Sequence, residues 1–204
     1  LMAGIGSDKV GLEHFPQHPL EKIAFKYHAA CHCTHAPIDI IMGTSSAHGF
    51  AADDIENIQV YCSQISLDAA GNPDPKTGLD AKFSIAYAMS SALIKNDTGI
   101  ANFADDQIGD PEVRDLMARV SVSVDENLVG LLTTCEITLK SGAVHSDTYD
   151  PTDRLVPLEE QAEKLMVKFV SALTPTMSQE KIERVRDTIA NFDTAESVAP
   201  LLLN

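Results

Sequence analysis

Cys135-Glu-Ile-Thr-Leu-Lys-Ser-Gly-Ala-Val-His-Ser-Asp-Thr-Tyr149 reads as two strands, Cys135 to Leu139 and Ala143 to Tyr149, turned at Ser141-Gly142. Glycine takes the positive φ that tight hairpin turns need, so a Ser-Gly pair between two such runs marks a hairpin. A hairpin is antiparallel sheet, and the chain supplies further strands upstream of it. Val120-Ser-Val-Ser-Val124 alternates strictly, and Ile55-Glu-Asn-Ile-Gln-Val-Tyr-Cys62 reads as another strand. Glu21 to His28 sets Ile23, Phe25 and Tyr27 against Lys22, Ala24 and Lys26, the pattern of a half-buried strand.

Helical patterns lie between and after these strands. One opens at Thr34 or His35, carries Ile38, Ile41 and Met42 on one face, and ends near Gly43 or Gly49. Pro37 falls in its first turn, where a missing N–H costs nothing. Asp80 to Ile94 reads as one continuous helix whose Ala and Ser content invites close packing. Asp110-Pro111-Glu112 opens a short helix through Arg119, with Asp as cap and Pro behind it. Asp68 to Thr77 is dense in turn formers and reads as a loop. After Asp150-Pro151, Leu158 to Leu173 and Ser178 to Phe192 are amphipathic, and an apolar tail follows from Val198 to Leu203. The expected fold class is α+β: a four- to five-stranded, mostly antiparallel sheet with helices on one face, plus a C-terminal helical appendage. Its expected division is an irregular lead-in at 1–19, an α+β domain at 20–150 and C-terminal helices at 151–204.

Charge narrows the function. Fifteen Lys and Arg stand against 30 Asp and Glu, a formal net charge of -15. Nucleic-acid binding needs basic stripes, and none forms here. No stretch reaches the roughly 18 apolar residues of a membrane span. Four unevenly spaced cysteines do not read as a disulfide framework, so reduced thiols and a cytoplasmic location are expected. Glycine-rich phosphate loops and a Gly-x-Ser-x-Gly elbow are absent from the sequence. The acid pairs Asp53-Asp54, Asp105-Asp106 and Glu159-Glu160 read as solvated surface.

Against that acidic background, Lys26-Tyr-His-Ala-Ala-Cys-His-Cys-Thr-His35 holds one lysine, three histidines and two cysteines with no acid. Four readings are open. His28, Cys31, His32, Cys33 and His35 are zinc-type ligands, though no second pair of ligands accompanies them. Cys31 or Cys33 with a histidine makes a thiol nucleophile. A strand end running into a helix N-terminus, with Lys26 and a histidine, makes a carboxylate site. A tightly packed turn whose histidines bond backbone carbonyls has no function at all. Lys82 reads either as a surface side chain or as a second carboxylate contact.

Lys26-Tyr-x3-Cys31-x2-Thr34-His35-x2-Ile38-Asp39 resembles the Lys-x-Tyr-Pro-x-Cys-x-x-Thr-His-x-x-Ile-Asp segment of the MmgE/PrpD family. Ala81-Lys82-Phe83-Ser84-Ile85-Ala86-Tyr87-Ala88 is similar to that family's Ala-x-Phe-Ser-x-x-Tyr-Ala helix. The order continues through Asp110-Pro111-Glu112-Val113, Asp125 and Gly142, so the likeness covers roughly residues 20–150. The family includes 2-methylcitrate dehydratase, cis-aconitate decarboxylase and iminodisuccinate epimerase. The resemblance therefore implies action on a small polycarboxylate with no metal and no organic cofactor, in a chain that homodimerises. It also implies a large helical domain preceding the α+β part. With the Leu1-Met2 start, the expectation is a piece of a longer enzyme, inactive alone, whose C-terminal helices pack on that absent N-terminal helical domain. Catalytic positions would fall on His35, Cys31 and His32, and substrate contacts on Lys26, His28, Thr34 and Lys82. Decarboxylase-like members carry a histidine where Cys31 stands. A non-catalytic binding or dimerisation module is the competing expectation.

Overall fold

A computed structural model describes residues 24–152 and 157–194. The lead-in, Ile23 and the tail from Val198 lie outside the described residues. The strands are β1 (Ile55–Cys62), β2 (Val120–Val124), β3 (Thr133–Leu139) and β4 (Val144–Tyr149). The helices are α1 (His35–His48), α2 (Gln64–Ala70), α3 (Gly78–Ala81), α4 (Ile85–Lys95), α5 (Pro111–Met117), α6 (Leu158–Leu173) and α7 (Gln179–Ala190). The chain is α+β, and the four strands among the described residues form one sheet in the order β2-β1-β3-β4.

The hairpin forms as its turn residues dictate. β3 and β4 pair antiparallel from Thr133↔Tyr149 to Thr138↔Val144, and Gly142 takes φ 87° in the turn. β1 pairs antiparallel with β3, matching Ile58 to Ile137 and Val60 to Cys135. β2 joins β1 in parallel, from Ile58↔Val120 to Cys62↔Val124. Successive side chains in a strand point to opposite faces. Ile58, Val60, Cys62, Cys135 and Ile137 thus share one face, and all are buried. Burying each such Ile or Val contributes about 1.5–3 kcal/mol. Ile40 and Ile41 of α1 and Ile85 and Met89 of α4 complete that core. The opposite face keeps Glu136 exposed and Gln59 bonded to Ser123 at 2.9 Å.

Three expectations need correction. Residues 24–28 are not a strand. Their partners are not a sheet edge: the Lys26 carbonyl accepts from Lys168 Nζ on α6, and Ala29 N donates to Thr98 O at 3.0 Å. The alternation of Phe25 and Tyr27 matches α6, where Lys164 lies 5.4 Å over the Tyr27 ring. The expected helix at 80–94 is two helices with a break at Lys82–Ser84. The Thr77 hydroxyl accepts from Asp80 N while Asp80 accepts from Thr77 N, which closes α3 as a capping box. Ser84 then caps α4, accepting from Tyr87 N at 3.2 Å. Residues 68–70 belong to α2 rather than to the loop, because Ser63 caps a helix from Gln64.

The break has a positional result. It leaves the Lys82 carbonyl free to accept from Cys31 N at 2.9 Å, tying the segment before α1 to the start of α4. Tyr87 is buried, and its hydroxyl donates to Asn102 O at 3.0 Å, which holds the turn that carries Thr98. Gly78 is required where it stands, since a Cβ there would lie 2.0 Å from Phe103 O.

Candidate functional site

Cys31 precedes a single 3-10 turn, His32–Thr34, that runs directly into α1. Thr34 locks this turn, with its N at 3.0 Å and its hydroxyl at 2.8 Å from Cys31 O. A 3-10 turn repeats every three residues. It therefore puts His32 and His35 on the same side. Their ring centroids are 4.7 Å apart, edge to face, and His28 meets His35 from another side at the same 4.7 Å. The three histidines of the opening motif converge on His35.

His28 is pinned at both nitrogens. Its Nε2 lies 3.2 Å from Asp39 Oδ1 and its Nδ1 2.7 Å from Thr98 Oγ1. An ionised carboxylate only accepts, so Nε2 carries a proton, and in the neutral ring the Thr98 hydroxyl donates to Nδ1.

His35 is 1% exposed. Burial first, then the neighbouring His28, His32, Lys26 and Lys168, push its pKa down to about 2, so the ring is neutral. Burial and Lys26 also lower His32, against the opposing pull of Asp150. Neither His32 Nε2 nor His35 Nε2 meets a hydrogen-bond partner among the described residues, although both are sealed from solvent. A buried polar atom left unpaired costs about 1–3 kcal/mol. Two of them lie side by side at the N-terminus of α1, where the helix carries a partial positive charge.

Beside His28 a cleft of ≈ 280 Å³ opens between the 97–100 turn and α6. His28, Asp39, Thr98, Lys164, Lys168 and Ser171 contribute to its walls. Lys164 is held by Glu160 at 2.9 Å, whereas burial and then Lys26 lower the pKa of Lys168. Against the pull of burial, Glu160 and Asp39 raise Lys164, so the cleft carries both signs of charge, with Asp39 and Asp97 among its walls.

The expected site residues fall into three groups. His28, His32 and His35 come together, with Lys26 close enough to act on both His32 and His35. Cys31 and Thr34 form the turn beneath them, and the Thr34 hydroxyl is committed to the Cys31 carbonyl. Lys82 meets the segment through its carbonyl, and its ammonium forms no ion pair among the described residues. Asp39 entered the sequence reading only as the last residue of the motif, and Thr98 and Lys168 were not singled out. Lys164 and Lys168, four apart on an amphipathic helix of so acidic a chain, were a readable signal. Thr98 left none. Among the described residues no three His, Cys, Asp or Glu side chains converge as a metal site needs. No described helix is long and apolar enough to cross a membrane.

A mixed four-stranded sheet backed by helices, with buried imidazoles at the N-terminus of α1, defines an α+β domain. Residues 28–194 match the family model of the MmgE/PrpD C-terminal domain, and the chain belongs to the MmgE/PrpD family. Comparison with curated proteins finds no match.

Proposed function

We propose that this domain forms part of a cofactor-independent lyase or isomerase of the MmgE/PrpD type, acting on a small polycarboxylate next to one of its carboxylates. Dehydration is the favoured reaction. The observation that carries this reading is the neutral, buried His35, whose Nε2 has no hydrogen-bond partner among the described residues, near Lys26, Lys168 and the α1 N-terminus. Removing a proton adjacent to a carboxylate builds up negative charge, which preorganised cations and N–H dipoles stabilise. A neutral imidazole exchanges that proton. His35 and His32 are the proposed acid–base pair, and Cys31 sets the turn that aims them. Lys26, His28 and Lys82 contact substrate carboxylates, and Thr34 acts by fixing the backbone. Residues 20–150 act as a lid, and the helices at 151–204 pack on a helical N-terminal domain within a cytoplasmic homodimer.

The test joins this domain to a family helical domain and follows dehydration of small hydroxy-tricarboxylates by the absorbance of the new double bond. His35→Gln is expected to lower kcat about 10²–10⁴-fold, the range for loss of one acid–base group, with the far-ultraviolet circular dichroism unchanged. Unchanged turnover in that variant removes His35 from the chemistry. The second reading is a non-catalytic binding or dimerisation module. It predicts carboxylate binding without turnover in the joined protein.

A further inference from the structure

His28 stands in a chain of hydrogen bonds whose direction is set at one end. Asp39 Oδ1 accepts from His28 Nε2 at 3.2 Å, so the neutral ring keeps its proton on that nitrogen. Nδ1 is then a lone pair, and the Thr98 hydroxyl donates to it at 2.7 Å. That bond uses the one proton the hydroxyl has. Among the described residues Thr98 Oγ1 has no other partner, so the oxygen can only accept from a group entering the cleft it helps to line. Across the cleft, α6 contributes Lys168 and Ser171. Lys164 is paired with Glu160, whereas Lys168 forms no ion pair among the described residues and donates to the Lys26 carbonyl. Gly99 lets the turn carrying Thr98 come this close to α6, since a Cβ there would lie 2.6 Å from Ser171 Oγ.

We propose that Thr98 determines specificity by accepting a hydrogen bond from a donor on the carbon next to a ligand carboxylate, that Lys168 takes the carboxylate, and that Asp39 is the positioning residue that fixes this polarity through His28. A hydroxyl or an ammonium on that carbon satisfies the Thr98 oxygen. A methylene there leaves it unpaired, and a site that accepts from a donor discriminates against the analogue that lacks one. The cleft, at ≈ 280 Å³, lies at the small end of ligand sites and suits a short dicarboxylate. The inference rests on the proposed reading for the carboxylate, and it gives His28 its hold on the ligand through Thr98.

The 204-residue chain, isotope-labelled, is titrated with malate, aspartate and succinate above the ordinary imidazole range and followed by nuclear magnetic resonance. Succinate lacks only the hydroxyl of malate or the ammonium of aspartate. Malate or aspartate is expected to bind about tenfold tighter than succinate, the worth of one hydrogen bond, and the one that does so names the donor. Thr98→Val is expected to bring that affinity down to the succinate value, and Thr98→Ser to keep the preference. The ring nitrogen shifts of His28 are expected to report the Nε2–H tautomer. Asp39→Asn is expected to mix in the Nδ1–H form and to shrink the preference while succinate binds as before. Equal binding of the three acids, binding of none, or an Nδ1–H tautomer in the parent chain overturns the proposal. Turnover in the joined protein alongside equal binding leaves the reaction standing without this role for Thr98. A malate or aspartate preference without turnover keeps the role and removes the reaction.

Discussion

His35 is buried as a neutral ring, and that burial makes stability depend on pH. In the unfolded chain an imidazole titrates near its ordinary value of about 6.5. In the fold His35 is held down to about 2. The unfolded state therefore binds the extra proton between those values. Stability is fully present above the upper value and is lost as pH falls toward the lower one. One such group contributes a slope of about 1.4 kcal/mol per pH unit within that window. His32, lowered for the same leading reason, adds in the same direction. Urea unfolding between pH 7 and pH 4 should show stability falling with pH, and His35→Gln should flatten the fall by about one proton. An equal slope in both proteins would mean that His35 is not buried neutral. The types and spacing of these histidines were plain in the sequence. Their convergence was not, because it depends on a 3-10 turn that a Cys-His-Cys-Thr string does not announce.

Ser84 is the residue on which the element scale turns. Its hydroxyl accepts from Tyr87 N and donates to Asn72 O at 2.6 Å, and the residue is fully buried. Periodicity across 80–94 is continuous, so a helix pattern alone runs straight through it. The cap wins because Ser competes for the backbone at helix starts, and because the chain must leave α3 to reach the core. Removing this hydroxyl loses a cap and strands the Asn72 carbonyl. Ser84→Ala should cost about 1–3 kcal/mol in denaturant titration. A change below about 0.5 kcal/mol would show that the break is held by packing rather than by Ser84. The misread strand at 24–28 has the opposite origin. Alternation reports which side chains face a surface, and there the surface is α6.

At the scale of the molecule, the helices after residue 157 differ from the rest. None of the sixteen residues of α6 is buried, and Leu158 is 82% and Val167 71% exposed. Phe25, Leu165, Met166, Phe169, Ile189 and Ala190 line an apolar groove of ≈ 610 Å³ between α6, α7 and the segment before His28. A helix with one apolar face and little of it covered has low local stability. Amide hydrogens of α6 should exchange at least tenfold faster than those of β1 and β3 in hydrogen-exchange mass spectrometry. Equal protection in both would mean that α6 is held by contacts on this chain alone.

The sequence determined the strands at 55–62 and 120–124, the hairpin, both C-terminal helices and the class of the fold. These are local: a period of two or 3.6, a capping residue and a turn glycine each act within a few neighbours. It also determined, through two motifs, the family. Only the tertiary structure decided that β2 joins β1 in parallel while the other pairings are antiparallel. It alone brought Thr98 and Asp39 to the two nitrogens of His28, and it alone left Nε2 of His32 and of His35 with no hydrogen-bond partner among the described residues. Those facts arise from residues up to seventy positions apart meeting in space. Burial, orphaned polar atoms and pKa displacement belong to that meeting, and no single stretch of chain contains them.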